Sequence, residues 1–87
     1  MNTFKLTIAS PDGNKFSGDV YKLDVRGTEG ELAIMVGHIP FTTSVVNAPC
    51  AVWFDENTKK TAVSDGGLLN VGADSVTLLS GSFRFDD

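Results

Sequence analysis

Apolar residues recur at every second position along much of this chain, and that period of two constrains its fold more than any other feature. Residues 4–9 and 20–26 show the pattern most clearly, with Phe4, Leu6 and Ile8 separated by single, smaller or polar residues. Successive side chains of a β-strand point to opposite faces, so this alternation is typical of strands with one face buried. The pattern therefore predicts half-buried strands.

Turn signals separate these segments at intervals of roughly 8–12 residues, the spacing of small β-sandwiches and barrels. The separating segments are 10–14, 27–30, 37–40, 55–60 and 72–75. No window fits the apolar spacing of an amphipathic helix, and nine glycines interrupt any candidate. We therefore predict an all-β fold, a small flattened β-sandwich or barrel of many short, mostly antiparallel strands, as one domain over residues 1–87.

Composition narrows the class of protein. The 87 residues carry seven basic and eleven acidic side chains, for a formal net charge of −4. This balance argues against a nucleic-acid partner, which needs a basic face, and against a polybasic membrane anchor. A single cysteine excludes an intrachain disulfide and favours a reducing compartment. The N-terminal residues show no leader pattern, and the apolar runs are too short to span a bilayer.

Few residues are candidates for catalysis or metal binding. His38 and Cys50 are the only soft metal ligands, too few for a zinc site. Cys50 opens an apolar run with no basic neighbour, which is typical of a packing thiol. Glu29 and Glu31 could form a carboxylate pair, but the glycines around them favour an exposed acidic loop that recognises a basic partner. The residues therefore predict no catalytic, cofactor-binding or metal-binding site.

Two further features are interpreted as structural. The Gly66–Gly67 pair lacks the rest of a phosphate-binding motif, so it predicts a bulge or a close approach of two backbones. Trp53 and Phe54 have apolar neighbours, so we expect both to pack in the core or between sheets. A carbohydrate platform would instead need an aromatic residue on a polar face.

Five segments, in this order, give the chain a resemblance to a known family. They are Phe16–Gly18, Gly27–Ile34, Gly37–Thr43, Ser64–Val71 and Val76–Leu79. Together they resemble the epsilon subunit of F-type ATP synthase over nearly the whole chain. Val36, Phe41 and Asp65 depart from the family pattern, and the helical hairpin that typically follows the sandwich is not seen before Asp87.

The resemblance implies a non-catalytic subunit of the central stalk, or rotor, without a cofactor. Such a subunit links the gamma subunit to the membrane c-ring and helps to couple proton or sodium flow to ATP synthesis. The matching positions are Glu29, Gly30 and Glu31 facing the polar loops of the c-ring, and Ser10, His38, Thr42 and Thr43 facing gamma. It also implies a peripheral location on the cytoplasmic face of the bacterial plasma membrane, with membrane association only through the complex.

Three alternatives stay open at this point. A regulatory subunit that inhibits ATP hydrolysis would need the C-terminal helical arm, so we expect coupling without inhibition by an extended helix. A row of exposed aromatic residues would instead favour a free-standing β-sandwich module that binds peptide or carbohydrate. An enzyme would need the Glu29/Glu31 pair or Cys50 in a cleft with a strongly shifted pKa.

Overall fold

The alternating segments form strands in the computed structural model, which describes residues 2–37 and 39–86. The described residues contain no helix. Their ten strands are β1 (Phe4–Ser10), β2 (Gly13–Val20), β3 (Lys22–Gly27), β4 (Gly30–Met35), β5 (Phe41–Val45), β6 (Ala48–Trp53), β7 (Lys59–Ser64), β8 (Gly67–Val71), β9 (Ser75–Ser80) and β10 (Phe83–Phe85).

The strands form two five-stranded layers that meet at one corner. The hydrogen-bonded order is β10-β7-β6-β3-β5-β8-β9-β1-β2, with β4 on the other side of β3. Strands β3 and β5 share only the pair Gly27 and Val45, so the path divides there. We call β4-β3-β6-β7-β10 sheet A and β5-β8-β9-β1-β2 sheet B. All pairings are antiparallel except that of β1 with β9, which confirms the predicted all-β, mostly antiparallel sandwich.

The core lies between the inner faces of the two sheets. Leu6 and Ile8 on β1, Leu23 on β3 and Leu69 on β8 are fully buried, and their sequence neighbours point outward. Each such side chain stabilises the fold by about 1.5–3 kcal/mol through removal from water. The period of two in the sequence therefore corresponds to the burial pattern of the sandwich.

The chain passes from sheet A to sheet B at Gly66 and Gly67, which have φ angles of +97° and +147°. A Cβ atom at Gly66 would lie 2.6 Å from the Val45 carbonyl oxygen, and one at Gly67 would overlap the Leu79 carbonyl oxygen. Only glycine avoids both the backbone strain and the overlap. The predicted close approach of two backbones at this pair is confirmed.

A polar network lies beside the same crossing, with Ser64 and Ser80 buried and Asp65 exposed. The hydroxyls of Ser64 and Ser80 lie 2.9 Å apart, and the Ser64 oxygen accepts a bond from the Gly66 amide at 3.1 Å. The Asp65 carboxylate accepts bonds from the Ser82 amide at 2.9 Å and the Ser80 hydroxyl at 3.1 Å. These bonds connect the ends of strands in both sheets, and they hold the pKa of Asp65 below its usual range.

Two strand features lie outside the alternating segments. The tail after residue 80 contains β10, which pairs with β7 and buries Phe83 in the core. Pro49 lies inside β6 and pairs with Val63. The ladder between β6 and β3 ends at Ala51, so the missing N–H of Pro49 leaves no bond unmade on that side.

Candidate interaction surfaces

The acidic loop of the sequence analysis is the tip of the β3–β4 hairpin. Gly27 pairs with Gly30, so Thr28 and Glu29 form a two-residue turn, and Gly30 has a φ of +130°. Glu29 is exposed, and the Glu31 side chain is 82% exposed, with an oxygen 4.0 Å from Arg26 Nη2. Such an exposed ion pair contributes little to stability. Both carboxylates are solvated and therefore available to a basic partner, and they lack the burial that a catalytic pair would require.

The residues expected to face gamma do not share one surface. Ser10 ends β1, and its hydroxyl bonds locally, accepting from the Asp12 amide at 3.3 Å. Thr42 lies on the outer face of sheet B, where its hydroxyl donates to Asn70 Oδ1 at 3.0 Å. Thr43 follows it on β5, so its side chain points to the other side of the strand. His38 lies outside the described residues.

Thr43 instead lies beside the acidic loop. A concavity of about 240 Å³ is lined by Thr43 together with the hairpin tip. The other lining residues are Gly27, Thr28, Glu29, Gly30, Glu31 and Leu32. Strand β5 thus carries Thr42 on the outer face of sheet B and Thr43 beside the acidic loop. The outer face of sheet B and the acidic loop are therefore contiguous.

The outer face of sheet B carries a neutral band that the sequence analysis did not identify. Cross-strand pairing aligns its side chains, which are Thr7, Ala9, Thr42, Ser44, Leu68, Asn70, Thr77 and Leu79. Leu68 and Leu79 pair directly across β8 and β9 and are 43% and 49% exposed. The signal was present, because the doublets Leu68–Leu69 and Leu78–Leu79 must each place one leucine on the outer face of a strand.

The outer face of sheet A has the opposite character, and we call it the charged face. Its outward side chains include Lys22, Asp24, Arg26, Glu31, Ala33, Ala51, Trp53, Lys59 and Arg84, each adjacent in sequence to a buried or inward-pointing residue. Phe54 packs against the core as expected. The expectation that Trp53 would also do so is wrong: Val52 is fully buried, so the next side chain on β6 must point outward.

Trp53 is fixed in this position by three neighbours. Its indole N–H donates to Asp24 Oδ2 at 2.9 Å. The ammonium groups of Lys22 and Lys59 lie 4.9 and 5.1 Å from the ring centroid, within the range of a cation–π contact. Lys22 also lies 3.8 Å from the Asp24 carboxylate. The half-buried indole is therefore the centre of a charged cluster.

Cys50 has the properties of a packing thiol. It is buried in the core, and burial, together with the nearby charge of Asp86, raises its pKa to about 11. The thiol therefore remains protonated and unreactive near neutral pH. Over residues 2–37 and 39–86, no three histidine, cysteine or carboxylate side chains are grouped so as to hold a metal ion.

The described part of the chain contains no helix with the length and apolar character that a bilayer crossing requires.

Comparison with known proteins gives one consistent result. Residues 3–85 match the family model of the ATP synthase delta/epsilon chain β-sandwich domain. The chain is 39% identical over 80 residues to the ATP synthase epsilon chain of Bacillus licheniformis, covering 92% of this chain and 60% of the relative. It is 35% identical over 78 residues to the sodium-ion-specific epsilon chain of Acetobacterium woodii, covering 90% and 59%. The chain therefore spans about three-fifths of the length of these relatives.

Solved structures show the same fold. A chain in the mitochondrial ATP synthase of Euglena gracilis, solved as OSCP/F1/c-ring, superimposes with a TM-score of 0.88 at 20% identity, covering 95% of this chain and 53% of that one. A chain in the central stalk/c-ring structure from Tetrahymena thermophila gives a TM-score of 0.80 at 16% identity, covering 92% and 64%.

Proposed function

The chain belongs to the family of ATP synthase delta/epsilon chain β-sandwich domains, and from that premise we propose that it is a central-stalk subunit of an F-type ATP synthase. In this role it joins the gamma subunit to the c-ring and helps to couple proton or sodium flow to ATP synthesis. It catalyses no reaction itself. It is held at the cytoplasmic face of a bacterial plasma membrane by the complex alone.

The observation that carries the gamma contact is the neutral band on sheet B. Its exposed pair, Leu68 and Leu79, lies among hydroxyl and amide side chains with no charge between them. Charged residues are depleted at the centre of protein interfaces, whereas apolar groups with satisfied polar neighbours are favoured there. The contact between Thr42 and Asn70 already pairs two polar groups of the band, which lowers the cost of covering them.

The acidic hairpin tip is suited to the c-ring contact. Glu29 and Glu31 project from a tight turn next to Thr43, at the border of sheet B. A partner loop with a basic side chain would pair with them and would gain orientation more than affinity from the contact. The neutral band and the tip adjoin through β5, so one domain can contact both partners at once.

The paired sheets suit a domain that transmits torque. Each strand of the sandwich pairs along its length, and the corner at Gly66 and Gly67 is closed by the Asp65 and Ser80 bonds. Load applied at the band would therefore reach the hairpin tip through the ladders of sheet B and the pair Gly27 and Val45 that joins β5 to β3. The charged face does not present an open row of aromatic residues, which would favour a carbohydrate-binding module. The Trp53 indole on this face is covered by two lysine side chains.

Co-purification with the gamma subunit of the same organism tests the proposal. We expect the two to form a stoichiometric complex on size-exclusion chromatography. The double variant Leu68→Glu/Leu79→Glu should weaken it by at least about tenfold, because two charges would be buried in the interface. The single variants Leu68→Glu and Leu79→Glu should each weaken it as well, and Val63→Glu is the control for one added charge, since Val63 is 42% exposed on sheet A. No complex with the unaltered chain, or equal loss with Val63→Glu, would contradict the proposed gamma surface.

A further inference from the structure

The charged face of sheet A differs in charge from the rest of the molecule. It carries four of the seven basic residues of the chain, Lys22, Arg26, Lys59 and Arg84, and three of the eleven acidic ones, Asp24, Glu31 and Asp86. The face therefore has a formal charge of +1, whereas the remainder of the chain has −5. A positive face on an acidic protein attracts negatively charged partners and orients them during encounter.

A concavity lies on this face, next to the Asp24 carboxylate that accepts the bond from the Trp53 indole. It measures about 390 Å³, and its lining includes the small side chains of Ala33, Pro49 and Ala51 together with the charged side chains of Asp24, Arg26 and Glu31. Ala51 points outward yet is only 8% exposed, so it lies at the base of the concavity, whereas Ala33 and Pro49 are exposed. A cleft of this size accepts a bulky apolar side chain of a partner.

The charged cluster at Trp53 supplies the polar part of such a site. The bond from the indole N–H to Asp24 fixes the ring, and the same carboxylate offsets part of the charge of Lys22. Lys59 contacts the ring but has no carboxylate within 4.0 Å among the described residues. Its ammonium group is therefore free to pair with a carboxylate of a partner.

We propose that the charged face is a second docking surface, which binds an acidic protein segment carrying a bulky apolar side chain. Carboxylates of the segment pair with Lys22, Lys59 and Arg26, and its apolar side chain enters the concavity next to Asp24. Aromatic and arginine side chains at the centre of a face are the groups that most often dominate binding energy. The surface lies on the sheet opposite the neutral band, so its occupant and gamma would bind at the same time.

Titration with model peptides tests this surface directly. The first probe is a peptide of about twelve residues that alternates glutamate with leucine, a length that spans one face of a small domain. Binding is followed by the fluorescence of Trp53, the only tryptophan, and by amide chemical shifts of the ¹⁵N-labelled chain. We expect saturable binding that maps to β3, β6 and β7 and weakens as salt is added.

Charge reversal provides the matched comparison. Lys22→Glu/Lys59→Glu should weaken peptide binding at least about tenfold, whereas Lys5→Glu/Lys15→Glu makes the same change in net charge on sheet B and should alter it less than about twofold. Lys22→Gln/Lys59→Gln is the milder variant if the reversal impairs folding.

Four outcomes would overturn the proposal. The first is no saturation of binding by about 1 mM peptide, which corresponds to negligible affinity. The second is a set of chemical-shift changes that maps to β5, β8 and β9, and the third is an equal loss of peptide binding in the two lysine double variants. The fourth is binding of heparin or of phosphatidylserine vesicles that is as tight as binding of the peptide. The last would show a general preference for polyanions. None of these depends on whether gamma binds to the neutral band.

Discussion

Replacement of Gly67 by alanine tests the corner on which the sandwich depends. The φ of +147° costs an L-residue about 1–3 kcal/mol. The new Cβ would also overlap the Leu79 carbonyl oxygen, which belongs to backbone and cannot rotate away. The end of the β8–β9 ladder, where Gly67 pairs with Ser80, would have to separate, at about 0.5–1.5 kcal/mol for each bond lost. With two bonds lost, we expect a total loss of about 2–6 kcal/mol.

Gly13→Ala is the matched control for this change. Gly13 has a φ of +121°, and a Cβ added there would meet no atom within 4 Å beyond its chain neighbours. The substitution therefore carries only the backbone cost, about 1–3 kcal/mol. Urea unfolding followed by Trp53 fluorescence gives the free energy of unfolding of each variant. If Gly67→Ala were no less stable than Gly13→Ala, the close approach at the corner would not constrain the fold.

Three other substitutions probe separate parts of the structure. Trp53→Phe removes the indole bond to Asp24 and should lower the free energy of unfolding by about 0.5–1.5 kcal/mol in urea denaturation followed by circular dichroism, since the variant lacks the fluorescent indole. No loss would mean that the bond is not formed in solution. Cys50 has a raised folded pKa, so its contribution to stability should fall as the pH rises from about 9 to about 11. Thermal unfolding of the unaltered chain and Cys50→Ala should therefore converge or cross in that range, and a constant difference would refute the buried thiol. Asp65 has a lowered folded pKa, so its stabilisation is present above its ordinary pKa and is lost as the pH falls through the folded value. Asp65→Asn should flatten the acid limb of the stability profile, and an unchanged limb would contradict the network.

The fold followed from local patterns wherever one face of a strand was polar. The alternation around Leu6 and Leu23 predicted strands that the structure contains, and the glycine pair predicted the close approach at the corner. The segment Cys50–Phe54 was harder to interpret, because it is apolar at every position and does not reveal which side chains point outward. Only its pairing with β3 and β7 places Trp53 on the charged face.

Contacts between distant segments were the least accessible from the sequence. The parallel pairing of β1 with β9 and the three-residue β10 depend on tertiary packing and have no local signal. The family resemblance is confirmed by the match over residues 3–85. The assignments of Glu29, Gly30 and Glu31 to the c-ring, and of Ser10, His38, Thr42 and Thr43 to gamma, stay predictions.

Photo-crosslinking in the assembled ATP synthase tests the central claim most directly. A benzophenone amino acid would replace Leu79 on the neutral band, Glu31 on the hairpin tip, or Val63 on sheet A as the control, in native membranes of the source organism. We expect adducts with gamma from position 79 and with the c subunit from position 31, and neither from position 63. An enzyme complex that contains the chain but gives no adduct with gamma or the c subunit from either position would contradict the account.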